Sequence, residues 1–209
     1  TAYWGIGKFR TRPPKLHSAE AIKKTEPVID TDGVRGGIEY RDAYLRDNDA
    51  RFVFGFVRSA IEAGAAVANY VDLVDAQRSD GHWQLGLADL ESGERLELKA
   101  RTIVNAAGPY VDGLNSAWGV TTEHRIVYSK GIHLIVPRLT TTEHQRVLAF
   151  FDDSGRLFYV IPMGIRSVIG TTDTRTDDPR AGVTDDDRAF LLDQINKRLD
   201  LPKPLTTDD

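Results

Sequence analysis

The chain has 209 residues, 41% of them hydrophobic, and a formal net charge of −4. That length suits one large domain or one and a half small ones, with enough apolar residues to bury a sizeable core. Having no cysteine, it is excluded from disulfide frameworks, thiolate metal sites and cysteine nucleophiles, and its acidic balance disfavours a nucleic-acid partner.

Thr1 to Lys8 reads as a continuing element, and the sole methionine is Met163, so a slice of a longer protein is expected. Residues 1–24 carry six Lys/Arg against Glu20 alone, which reads as a solvated face. Arg12-Pro13-Pro14 excludes helix interior, because proline lacks a donor and restricts its predecessor. Ser18 then caps a short helix, Ala19 to Thr25, stopped by Pro27. Gly33 to Gly37 is a hinge before a short strand at Ile38 to Tyr40. A longer helix runs from Asp49 to Ala63, with Val53, Phe56, Val57 and Ala60 on one stripe and Gly64 as its stop. Strands follow at Val67 to Ala76, Trp83 to Leu90 and Leu96 to Asn105, joined by turns at Asp80-Gly81 and Ser92-Gly93.

From Ile126 the pattern changes to strands between short polar turns: Ile126 to Val136, Val147 to Phe151, Leu157 to Ile161 and Ser167 to Thr171. Ser154-Gly155 supplies a hairpin turn. Thr184 and Asp187 have capping-box spacing and open a closing helix whose apolar stripe is Leu191, Ile195 and Leu199. Pro202 and Pro204 end it. An α/β-like section at 49–118 and an antiparallel section at 126–172 imply two domains interleaved in sequence. No apolar run approaches the ~20 residues of a membrane span.

Three segments could carry chemistry. Thr102-Ile103-Val104-Asn105-Ala106-Ala107-Gly108-Pro109 is an apolar strand ending in small residues, where a backbone can approach a nucleotide closely; an ordinary Gly-Pro turn is the alternative. In Lys130-Gly131-Ile132-His133-Leu134, alternation puts His133 on the opposite strand face from Ile132 and Leu134. It could act as a base or an anion contact, or be a structural histidine. His17, His82, His124 and His144 sit in polar surroundings and read as surface residues. The third segment, Ile169-Gly170-Thr171-Thr172-Asp173, is neither a phosphate loop nor a metal cage. Asp173, Asp177 and Asp178 match no calcium-loop spacing, and Asp185-Asp186-Asp187 suits the positive end of a helix, so no metal is expected. Gly-x-Gly-x-x-Gly, Walker and Gly-x-Ser-x-Gly patterns are all missing.

Taken in order, several runs resemble the middle of the FAD-dependent glycerol-3-phosphate dehydrogenases. They are Gly36-Gly37-Ile38-Glu39-Tyr40, Asn48-Asp49-Ala50-Arg51, Ala68-Asn69-Tyr70, Val104 to Pro109, Lys130 to Pro137, Gly155-Arg156 leading to Val160-Ile161-Pro162, and Ile169 to Asp173. The resemblance covers roughly residues 16–200. It implies an α/β (α+β mixed) fold: part of an FAD-binding domain of the glutathione-reductase or D-amino-acid-oxidase type, interleaved with an antiparallel cap for the substrate. On that basis residues 1–48 and 121–209 belong to the cap and 49–120 to the FAD domain. Leu73, Ala106, Ala107 and Gly108 would lie near FAD, while His133 and Lys130 would lie beside flavin and substrate as catalytic candidates. Ala107 stands where the family usually has Thr, and Arg41 to Arg46 replaces a shorter stretch.

The resemblance further implies oxidation of sn-glycerol 3-phosphate to dihydroxyacetone phosphate, with electrons passed from FAD to quinone. The place would be the cytoplasm, at the inner face of the membrane, through peripheral contact by the full-length protein. The family's dinucleotide fingerprint and its later Gly-Gly-Lys and arginine segments are not in this chain. The 209 residues alone are therefore expected to be inactive and to retain no FAD. A related amine or 2-hydroxy-acid oxidase, and a non-catalytic binding domain, are the other readings.

Overall fold

The computed structural model describes residues 2–42, 45, 48–143 and 145–209. Ala43, Tyr44 and Arg46 of the unusual 41–46 stretch lie outside the described residues, as do Thr1 and His144. The chain forms two compact units, Thr1–Asp42 with Val127–Asp209, and Ala43–Ile126.

The first unit opens with α1 (Ala2–Ile6), β1 (Lys15–Ser18), α2 (Ala19–Thr25) and β2 (Gly36–Glu39). The Ser18 hydroxyl accepts from the Ala21 amide at 3.2 Å, which satisfies an otherwise unpaired donor of the first helical turn. The strand β1, which the local sequence does not announce, exists because Lys15–Ser18 pairs antiparallel with β2. Glu26 is buried and accepts from Arg146 (2.8 Å) and Thr142 (3.1 Å).

The second unit holds α3 (Asn48–Glu62), then β3 (Val71–Ser79), β4 (His82–Asp89) and β5 (Arg95–Ala100) as a three-stranded meander. Asn48 Oδ1 accepts from the Arg51 amide at 3.2 Å and so caps α3. The expected strand start at Val67 moves to Val71, because Tyr70 adopts φ 57° and breaks the extended run. Likewise β5 ends at Ala100, and residues 102–106 form no strand and have no strand partner among the described residues. Gly108–Tyr110 forms a single 3-10 turn, continuing as α4 (Val111–Ala117); Pro109 suits that position, since its missing donor would go unpaired anyway. No residue of α3 is buried, and Phe52 and Phe56 meet edge to face while exposed. Among this unit's described apolar residues only Ala76 is fully buried.

The chain then returns to the first unit through β6 (Ser129–Lys130), β7 (His133–Pro137), β8 (Leu148–Phe151), β9 (Leu157–Met163), β10 (Arg166–Gly170), β11 (Thr174–Arg175) and α5 (Asp185–Arg198). Four strands make an antiparallel sheet in the order β7-β10-β9-β8, and β6 pairs with β11. The single strand expected over Ile126 to Val136 is split at Gly131-Ile132. There the Ile132 amide donates to Thr172 Oγ1 at 3.0 Å, and a β-carbon on Gly131 would lie 2.6 Å from Thr171 Oγ1. The capping box at Thr184 and Asp187 is formed in full. Val136, Leu148, Phe158, Val160, Ile169 and Ile195 belong to one buried cluster, with Val28 and Leu199. Each such side chain contributes about 1.5–3 kcal/mol on burial, which makes this cluster the stabilising centre of the first unit.

Candidate functional site

The two faces of the β7-β10-β9-β8 sheet differ. Leu134, Val136, Ser167, Ile169, Phe158 and Val160 alternate onto the core face, which leaves His133, Gly170 and Tyr159 on the other. The register sets these last three directly opposite one another: His133 against Gly170, Gly170 against Tyr159, and Tyr159 against Ala149. The row therefore reads ring, bare backbone, ring, methyl.

His133 is exposed and, among the described residues, neither ring nitrogen has a hydrogen-bond partner. Its ring lies over Gly170. A β-carbon there would sit 2.5 Å from His133 Cδ2, 3.0 Å from Cγ and 2.9 Å from the Ile132 carbonyl. Glycine thus makes the floor on which the imidazole rests. A histidine with both nitrogens unengaged can accept a proton from, or donate one to, a small molecule on this face.

Lys130 is placed differently. Its Nζ lies 2.6 Å from the Asp187 carboxylate and donates to the Gly182 carbonyl at 3.1 Å, with both side chains of the ion pair largely buried. The carboxyl also accepts from the Thr184 amide and hydroxyl. The Lys130 hydrogen bond, followed by those of Thr184, holds Asp187 down at about 2. Lys130 and His133 therefore sit on consecutive short strands, with the lysine charge engaged by α5.

Arg156, after the β8–β9 turn, pairs with Asp173 Oδ2 at 3.3 Å and so ties that turn to the loop after β10. Asp173 is thus spent on a cation of the chain itself, and no group of three or more potential metal ligands converges among the described residues. Of the histidines read as surface residues, His82 and His124 are exposed. His17 is half-buried and bonds Glu39 at 3.0 Å across the β1–β2 pair. The Glu39 carboxyl lies below its ordinary value, burial opposing and the His17 hydrogen bond and Arg146 charge prevailing.

The residues expected to meet FAD lie in the second unit. Leu73 is half-buried on β3 at a bulge, opposite Leu87. Asn105 organises the other segment: its Nδ2 donates to the Val111 carbonyl (3.0 Å) and Asn115 Oδ1 (2.8 Å), and its Oδ1 accepts from the Ala107 amide (3.3 Å). That clasp leaves Ala106 and Gly108 exposed, and Gly108, at φ +54°, has open space where a β-carbon would be. A backbone turn without bulky side chains fits the close approach of a large cofactor. Leu73 and the Ala106–Gly108 turn stand on separate elements.

Tyr159 and the Lys130–Asp187 pair were not legible as site features. Alternation with Phe158 and Val160 was the available signal for Tyr159, but the identity of its neighbours depends on strand register.

A family model described as FAD dependent oxidoreductase matches residues 5–208. The chain is 29% identical over 196 residues to an aerobic glycerol-3-phosphate dehydrogenase of Staphylococcus haemolyticus, which is 92% of this chain and 34% of that protein. With the corresponding Staphylococcus epidermidis protein the identity is 28% over 194 residues, covering 91% and 34%. The glycerol-3-phosphate dehydrogenase from Bacillus halodurans, solved complexed with FAD, superposes with a TM-score of 0.78 at 25% identity, covering 98% of this chain and 45% of that one. The chain spans about a third of the length of the curated relatives it matches.

Proposed function

We propose a function from one premise: this chain belongs to the FAD dependent oxidoreductase family, and its mixed α/β fold with antiparallel sheets is that of the family. We infer that the gene product carrying it oxidises sn-glycerol 3-phosphate to dihydroxyacetone phosphate. The similarity to proteins named aerobic glycerol-3-phosphate dehydrogenase supports this substrate. The observation that carries the chemistry is His133, unbonded at both nitrogens among the described residues and seated on Gly170 on the open sheet face.

On this reading the first unit is the substrate cap and the second is part of the FAD-binding domain. FAD, when bound, supplies the hydride acceptor. The neutral imidazole of His133 takes the proton of the C2 hydroxyl, which raises the hydride-donating power of C2. Lys130, fixed by Asp187 and Gly182, lends electrostatic support from the adjoining strand. Ala106 to Gly108, with Leu73, would hold the cofactor against exposed backbone. Quinone is the final electron acceptor in this proposal, and the place is the cytoplasmic side of the membrane, reached by peripheral contact. No helix among the described residues is long and apolar enough to cross a membrane.

The test is anaerobic flavin reduction in the purified gene product carrying this sequence, with glycerol 3-phosphate set against amino acids and 2-hydroxy acids. Reduction by glycerol 3-phosphate is the expected result. Reduction by the other substrates only would make it an amine or 2-hydroxy-acid oxidase and overturn the proposal.

A further inference from the structure

We propose that Tyr159 is a second substrate-binding group of this site and sets its preference for a substrate hydroxyl beside the reacting carbon. The inference rests on the glycerol 3-phosphate reading and deepens it. Tyr159 stands two strands from His133 on the same sheet face, with only Gly170 between them. Neighbouring strands lie ~4.8 Å apart, so the two Cα atoms are ~10 Å apart, and the His133 ring overhangs the glycine in the gap between them. On the far side Tyr159 faces Ala149, whose side chain is only a methyl.

The polarity of that gap selects its occupant. Tyr159 is half-buried, and among the described residues its hydroxyl has no hydrogen-bond partner, which leaves it available to a ligand. The same holds for both nitrogens of His133. Two unengaged polar side chains on one sheet face, either side of a glycine, suit a small polyol with adjacent hydroxyls, one for each. No cation lies in the His133–Gly170–Tyr159–Ala149 row, so this row addresses neutral hydroxyls rather than a phosphate. With His133 at the C2 hydroxyl, Tyr159 takes the terminal C1 hydroxyl. A phenol both donates and accepts, as an alcohol partner requires.

The contact is read by comparing glycerol 3-phosphate with propane-1,2-diol 1-phosphate, which lacks only the C1 hydroxyl, in the gene product carrying this sequence. The wild type is expected to prefer glycerol 3-phosphate by about tenfold or more in kcat/KM, because the analogue leaves the phenol unpaired. Tyr159→Phe is expected to shrink that preference to about twofold, chiefly through KM, as one neutral hydrogen bond requires. A change in the substrate ratio distinguishes contact from mere scaffolding, which would lower both substrates alike. Equal use of the two substrates by the wild type overturns the inference whatever the variant does, as does an unchanged ratio in Tyr159→Phe. A wild type whose flavin is not reduced by glycerol 3-phosphate overturns the functional reading itself.

Discussion

The Lys130 ammonium and the Asp187 carboxylate lie 2.6 Å apart and join β6 to the first turn of α5. The same carboxylate completes the capping box with Thr184, so one side chain serves a helix terminus and a strand at once. Its acidity has a measurable consequence. Asp187 titrates at about 2 against an ordinary value of 3.8, chiefly because of the Lys130 hydrogen bond. A depressed carboxyl stabilises the fold fully above the ordinary value and loses that contribution as pH falls towards the folded one. Urea unfolding between pH 4 and 2 should show wild-type stability falling with acid. Asp187→Asn should be less stable at neutral pH and flatter across that window. A variant that parallels the wild type there would remove Asp187 from the linkage.

His133→Gln should lower kcat for flavin reduction at least roughly tenfold, since general-base help is worth 10²–10⁴-fold. The thermal midpoint should stay within a degree or two, roughly, because the side chain is exposed and bonds nothing among the described residues. Rapid-mixing kinetics on the folded variant give the answer, and full activity would exclude His133 from the chemistry.

Gly170→Ala places a methyl against the His133 ring and the Ile132 carbonyl. Displacing both should cost about 1–3 kcal/mol of stability, as overpacking does. Flavin reduction should fall along with it. If thermal melting and turnover both match the wild type, Gly170 is not the floor of the imidazole.

Arg146→Met should destabilise the chain by about 2 kcal/mol, because Glu26 is buried and would lose its cation. Adding Glu26→Gln should recover part of the loss, which chemical denaturation of the single and double variants can read. Strict additivity would mean that the two side chains are not coupled.

The 209-residue chain by itself should be colourless and inactive. Phe52, Val53 and Phe56 on α3 are exposed, and residues 102–106 have no strand partner among the described residues, so the second unit has little buried core. Flavin absorbance after saturation with FAD and desalting is the check. Stoichiometric retained flavin would refute the expectation.

Local signals located the helices well. Ser18 before α2, and Thr184 with Asp187 before α5, are caps whose partners lie within three residues, so their physics is written in short windows. Pairing over distance was not readable in that way. The break between β6 and β7 depends on Thr172, some 40 residues from Ile132. β1 depends on a glycine-rich partner, and the end of β5 on its pairing with β4, which stops at Trp83 opposite Ala100. In the candidate site, His133 stood out by chemistry and alternation. Tyr159 did not, because its relation to His133 exists only through the shared neighbour Gly170.

The Asp30 amide donates to the Arg198 carbonyl (2.9 Å), the Asp200 amide donates to Val28 (2.8 Å), and Ile29 bridges Leu199. On a ribosome this knot cannot be tied until residue 200 has left the exit tunnel, long after the meander of β3, β4 and β5 has met its own neighbours. Closing so wide a loop costs entropy that local hairpins avoid. Val28 to Asp30 therefore waits as an unmatched edge until residues 198–200 have been made.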